Sequence, residues 1–176
     1  ARFVVKAALA TGTAAILVNA AGQNEIVVAL GASAHLRPAD VGAALFDGAQ
    51  VVVCQHEANL PVNAHVFRLA RRAGALTVLN PAPMRPDFNP AILPLTDVLI
   101  PNESEFVALA NRLRDGRPLT DAALAEAPGP ALHRLCRGFG VPYVIVTLGS
   151  RGCFVSLPDD HRFIPGHTGI EVVDTT

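Results

Sequence analysis

The sequence is poor in charge, in cysteine and in the short motifs that mark the commonest catalytic centres. Only 16% of its 176 residues are charged, with fourteen Lys+Arg against fifteen Asp+Glu and a net charge of -1. With no basic excess to neutralise phosphates along a duplex, nucleic acid is a poor partner. Cys54, Cys136 and Cys153 stand far apart and none falls in a CxxC. That argues against a disulfide framework or a zinc cage and fits a reducing cytoplasm. No apolar run approaches the ~20 residues needed to cross a bilayer. GxxxxGK[ST], HExxH and GxSxG are all missing. The GFGVPY run at Gly138 precedes its strand, the wrong order for a dinucleotide loop. The six histidines show no zinc-like spacing and read as surface or satisfied core residues.

What is present is apolar. Hydrophobic residues make up 51%, so disorder is excluded, and the length suits a single domain with a proper core. At the front, Arg2 and Lys6 followed by AALATGTAAILVNAA imitate a secretory signal, but Thr11, Gly12 and Thr13 break the apolar stretch. The chain opens without Met, which leads us to expect a front already cut.

AAILVN, AAGQN and EIVVAL read as strand, turn and strand, each strand expected to meet something on both faces. Val41, Leu45 and Phe46 have helical spacing within residues 38–49, with Pro38 suited to a first turn. A regular alternation follows. VVVC, LTVL, DVLI and YVIVT are short buried strands, and helices are expected over residues 61–73 and 102–114 and, interrupted at Pro128-Gly129-Pro130, through residue 137. CFVSL and HRFIP are antiparallel candidates. The pattern predicts an α/β fold: a doubly wound, mostly parallel sheet with helices on both faces and a small β-hairpin appendage. We divide it into a hairpin lid with its return to the core, residues 1–34, and an α/β core, residues 35–176.

In such a sheet, ligands sit at the carboxyl ends of the strands. Four segments fall there. Gln55-His56-Glu57 offers a carboxylate for ligand hydroxyls, or a solvated loop acid. Asn80-Pro81-Ala82-Pro83 shapes a pocket floor or simply ends a strand. In Pro101-Asn102-Glu103-Ser104-Glu105, Asn102 and Glu105 have the spacing of a capping box, and the same pair at a helix mouth suits a hydrated Mg²⁺ and phosphates. Thr147-Leu148-Gly149-Ser150-Arg151-Gly152 combines a hydroxyl with two glycines that let backbone approach a ligand, and serves equally as a hairpin turn.

Taken in order, TGTAAILVNAAGQNEIVVALGASAHL, QHE, LNPAP, LIPNESE, VIVTLGSRG and IPGHTGIEVVDTT make the chain resemble the ribokinase-like (PfkB) family of carbohydrate kinases. These stretches span almost the whole sequence, and the hairpin ending in GASAHL favours the members that phosphorylate ribose. The resemblance implies that Glu57 contacts the sugar, and that Asn102 and Glu105 form the NxxE motif at the nucleotide phosphates and Mg²⁺. It implies that Thr147, Leu148, Gly149, Ser150, Arg151 and Gly152 line ATP, and that Asp174 and Thr176 hold a monovalent cation, usually K⁺. The hairpin, residues 13–30, would cover the sugar and join two subunits into a homodimer. The implied reaction converts D-ribose and ATP to D-ribose 5-phosphate and ADP.

The sequence also departs from the family pattern. There, DTT is followed by GAGD, whose glycines form an anion hole and whose Asp takes the proton from the sugar hydroxyl. This chain stops at Thr176, and the family's Gly-rich sugar-binding front part is missing too. We therefore expect a central fragment, without the catalytic base and inactive alone. The alternatives are another family member, such as a fructokinase or nucleoside kinase, and a non-catalytic module that binds nucleotide or dimerises.

Overall fold

Period-2 and period-3.6 patterns alternate along the chain, and the elements follow them. The computed structural model describes residues 8–20 and 24–169. Asp174 and Thr176, read from the sequence as cation ligands, lie outside the described residues.

Two strands, β1 (Thr13–Val18) and β2 (Asn24–Ala29), pair antiparallel as a sheet of their own. At its base, backbone crosses backbone at van der Waals distance. A Cβ on Gly12 would lie 2.7 Å from the Leu30 carbonyl oxygen, and Gly31, at φ +52, has no room for one either. All twelve strand residues are exposed. The expectation that each face of the hairpin meets something is therefore not met among the described residues, because a two-stranded ribbon brings no second layer with it.

Among the described residues the main sheet has six strands in chain order: β3 (Val51–Cys54), β4 (Leu76–Leu79), β5 (Val98–Leu99), β6 (Tyr143–Thr147), β7 (Gly152–Ser156) and β8 (His161–Pro165). The first four are parallel and the last two antiparallel, so the fold is α/β with a mostly parallel sheet, as the alternation predicts, but among the described residues the helices cover one face and not both. The crossovers carry α1 (Leu60–Arg72), α2 (Glu103–Leu113), α3 (Asp121–Ala125) and α4 (Gly129–Arg137). Between β4 and β5 the chain crosses by a 3₁₀ segment, Pro90–Leu95, with Pro94 inside it.

Right-handed crossovers between strands taken in sequence order fall on one side of a sheet. There Phe67, Phe106, Leu109, Leu132 and Cys136 pack on Leu79, Leu99, Val144, Val146 and Phe154 in one cluster. A polar rivet joins β4 to β5 inside this layer. Buried Thr77 Oγ1 lies 2.7 Å from the Leu95 carbonyl and 2.9 Å from Asp97 Oδ2, which share its one proton, and its N–H donates to the same Oδ2.

Residues 38–49 do not form the helix that their spacing predicts. Two 3₁₀ turns, Pro38–Asp40 and Ala43–Phe46, are separated by extended Val41 and Gly42. The competing local bonds explain it. Asp40 accepts from both the backbone and the guanidinium of Arg37, closing a turn. Gly42 is a poor helix former, and Phe46 finds its burial against Ala70 and Ala75 without a helix.

Candidate functional site

Four parallel strands present their carboxyl ends along one edge, and the loops that leave them carry the sequence-predicted residues. The best ordered of these junctions is the start of α2. Asn102 Oδ1 accepts from the Glu105 N–H, and Glu105 Oε2 accepts from the Asn102 N–H, each at 2.9 Å. The capping box is thus real, and Glu105 is 6% exposed. Ser104 donates to Asn102 Oδ1 as well. A parallel bridge joins Asn102 to Thr147, whose N–H donates to the Pro101 carbonyl at 3.0 Å. The NxxE and TLGSRG segments are therefore neighbours.

They share an open cavity of about 710 Å³ lined by Asn102, Glu103, Ser104, Asp121, Thr147 and Gly149, among others. Glu103, at the mouth of α2, pairs with the Arg151 guanidinium. Gly149 (φ +57) has nothing near the place a Cβ would take, so its backbone is open to the cavity. Gly152 has a different reason to be glycine. A Cβ there would lie 2.1 Å from the Ile164 carbonyl oxygen, so the close approach of β8 demands it. Leu148 turns its side chain into the core, and Ser150 stays exposed.

Glu57 sits on the same edge, three strands from Thr147, or ~14 Å at the usual strand spacing. It faces a second cavity of about 360 Å³ formed with the hairpin, whose Thr13, Ile16, Ile26 and Val28 line it together with Ser33. Of the predicted residues, Glu57 lines this cavity and Asn102, Thr147 and Gly149 line the other, while Glu105, Leu148, Ser150, Arg151 and Gly152 line neither. Next to Glu57, His56 is buried against Phe88 with ring centroids 5.3 Å apart. The His56 backbone N–H donates to the Ala82 carbonyl, which ties QHE to NPAP. Burial holds the His56 imidazole below its ordinary pKa.

Glu103 and Asp121 escaped the sequence reading as cavity residues. Both are first-turn acids of helices and follow a capping Asn102 or Thr120, so a helix-start signal was present. Nothing local said that the two mouths converge.

A hydrated Mg²⁺ asks a protein for only one or two carboxylates. Glu105 commits Oε2 to its cap, and its Oε1 makes no hydrogen bond to the described residues. Among those residues no group of three or more His, Cys, Asp or Glu converges. The donor set fits an ion held mainly by water and phosphate. It does not fit an all-protein cage.

The profile of pfkB family carbohydrate kinases matches residues 1–176. The chain is 34% identical over 173 residues to the ribokinase of Mus musculus, covering 95% of this chain and 50% of that protein. It is 37% identical over 168 residues to the bifunctional ribokinase/ribose-5-phosphate isomerase A of Fructilactobacillus sanfranciscensis, covering 94% and 29%. The crystal structure of ribokinase from Cryptococcus neoformans var. grubii, in complex with ADP, superposes with a TM-score of 0.74 at 26% identity, over 98% of this chain and 56% of that one. The chain spans about half the length of the ribokinases it matches. On its fold, on the rim built from NPAP, NxxE and TLGSRG, and on these likenesses, this chain belongs to the pfkB family of carbohydrate kinases.

Proposed function

We propose that this chain contributes the nucleotide wall and one sugar contact of an ATP-dependent ribokinase, which converts D-ribose and ATP to D-ribose 5-phosphate and ADP. The observation that carries the reading is the common edge: Glu57 lies beneath the hairpin, and Asn102, Glu105 and Thr147 lie along the same row of strand ends. In-line phosphoryl transfer asks for positioning and charge neutralisation more than for covalent chemistry. The Asn102 side chain and the Thr147 hydroxyl face the phosphates, and the Gly149 backbone lies along the nucleotide. The Glu57 carboxylate accepts from sugar hydroxyls. Mg²⁺, when bound near Glu105, neutralises phosphate charge. K⁺ belongs to the Asp174–Thr176 segment, and the hairpin excludes water from the sugar.

The hairpin's exposed Ile16, Leu17, Val18, Ile26, Val27 and Val28 support a homodimer formed through it. We place the protein in the cytoplasm. All three cysteines are free thiols, and burial pushes Cys54 up to about 11 and Cys136 up to about 12, which keeps both protonated and unreactive.

The deciding assay is sugar-dependent ADP release by the complete gene product, with D-ribose, D-fructose and a nucleoside in parallel. Ribose alone should drive turnover, and Glu105→Gln should lower it while raising the Mg²⁺ concentration required. Preference for fructose or the nucleoside would move the assignment within the family. An unchanged rate and Mg²⁺ dependence in Glu105→Gln would reduce Glu105 to a cap.

A further inference from the structure

Glu57 stands in a short loop between β3 and α1, and two carbonyls flank it. Both point at one side chain from elsewhere in the fold: Arg85 Nη1 donates to the carbonyl of His56 at 3.3 Å and to that of Ala58 at 3.1 Å. The other edge of the guanidinium is a two-point pair with Asp87, Nε to Oδ1 at 3.0 Å and Nη2 to Oδ2 at 2.9 Å. Arg85 is itself anchored to α2, because Arg112 donates to the carbonyls of Arg85 and Pro86. The chain of contacts runs from α2, whose mouth carries Asn102 and Glu105, through Arg112 and Arg85 to the backbone on either side of Glu57.

We propose that Arg85 is a positioning residue for the sugar site, clamping the 56–58 backbone so that the Glu57 carboxylate stays turned toward the cavity under the hairpin. The proposal rests on the reading of Glu57 as a sugar contact. Arginine suits the task because its rigid planar fork serves two carbonyls on one edge and a carboxylate on the other; a lysine ammonium is a point charge without that geometry. Asp87 has a second effect. It occupies the cation, and the Arg85 hydrogen bonds hold the Asp87 carboxyl below its usual range. The guanidinium is therefore engaged by Asp87 and the loop carbonyls, and Glu57 is left for its ligand.

The clamp can be tested at two levels. In the 176-residue chain, hydrogen exchange should quicken across residues 55–59 in Arg85→Lys, and to a lesser extent in Asp87→Ala, while the peptide over residues 102–106 keeps its protection. In the complete gene product, Arg85→Lys should raise the ribose KM about tenfold, with the ATP KM within about twofold, since misplacing a contact by an ångström is costly. Combined with Glu57→Gln, Arg85→Lys should add little further to the ribose KM, the non-additivity expected of a residue that acts through another. Unchanged exchange in both variants overturns the clamp, whatever Glu57 does. Quickened exchange with an unaltered ribose KM, in an enzyme where Glu57→Gln does raise that KM, overturns the positioning role. Parallel increases in the ribose and ATP KM overturn it too, marking general loosening. A ribose KM untouched by Glu57→Gln overturns the reading of Glu57 and the proposal with it.

Discussion

The two faces of the six-stranded sheet are made of the same residue types and have opposite surroundings. On one face Leu79, Leu99, Val144, Val146 and Phe154 are sealed under α1, α2 and α4. On the other, Val51 is 52% exposed, Val53 62%, Leu76 40% and Tyr143 42%. VVVC alternates between these fates residue by residue, with Val52 and Cys54 against the core and Val51 and Val53 outside it. Strands that read as continuous apolar runs belong to sheets covered on both sides. A patch of this kind on a surface is the mark of an interaction face. The comparison teaches that hydrophobicity says a strand wants cover, and that topology decides which side receives it.

Substitutions on the two faces should separate widely. The largest loss is expected from Phe106→Ala, which empties a fully buried site against Phe139. A denaturant midpoint should report a cost of about 3–5 kcal/mol. Next comes Thr77→Val, which removes the hydroxyl contacts to the Leu95 carbonyl and to Asp97 and strands the Leu95 carbonyl, while the residue-77 N–H still serves Asp97 Oδ2. About 1–3 kcal/mol should be lost, and a loss within experimental error would show that the rivet is ornamental.

A pH series probes the packed side more gently. Burial lowers the His56 pKa from 6.5, so the unfolded chain takes up a proton more readily than the folded one. The stability from this group is therefore full above the unfolded value and falls as pH drops below about 6.5 toward the folded value. Unfolding midpoints at pH 7.5 and 5.5 should differ less in His56→Gln than in the unsubstituted chain. An equal difference in both assigns the acid sensitivity to other groups.

The smallest effect belongs to the open face. Val53→Thr should change stability by no more than about 0.5 kcal/mol and weaken the binding of a hydrophobic dye to the native chain. A cost approaching that of Phe106→Ala would mean that the face is covered after all, and the comparison would collapse.

The difference between the faces also explains which features could be read from the letters. Residues 60–72 and 103–113 were legible as helices because apolar spacing and capping act within a few residues. The same holds for the Asn102–Glu105 box, where both partners lie within one turn. Residues 38–49 misled because Val41, Leu45 and Phe46 have helical spacing while Gly42 and the Arg37–Asp40 bonds favour turns. In TLGSRG two glycines looked alike, yet Gly149 opens onto a cavity and Gly152 is compelled by a strand that pairs with it later in the chain.

From its letters alone the chain determined its alternation of strand and helix, the loops that hold Glu57, Asn102, Glu105 and Thr147, and its likeness to a kinase family. All of these depend on neighbours a few residues away or on short motifs. Only the tertiary structure decided that Glu57 shares a cavity with the hairpin, that Asn102 lies beside Thr147, that Arg85 reaches across to the Glu57 loop, and that among the described residues one sheet face carries no helix. Those facts join residues 27 to 45 positions apart, or follow from strand order. No local pattern encodes them, because they are settled by the burial and hydrogen bonding of the whole chain at once.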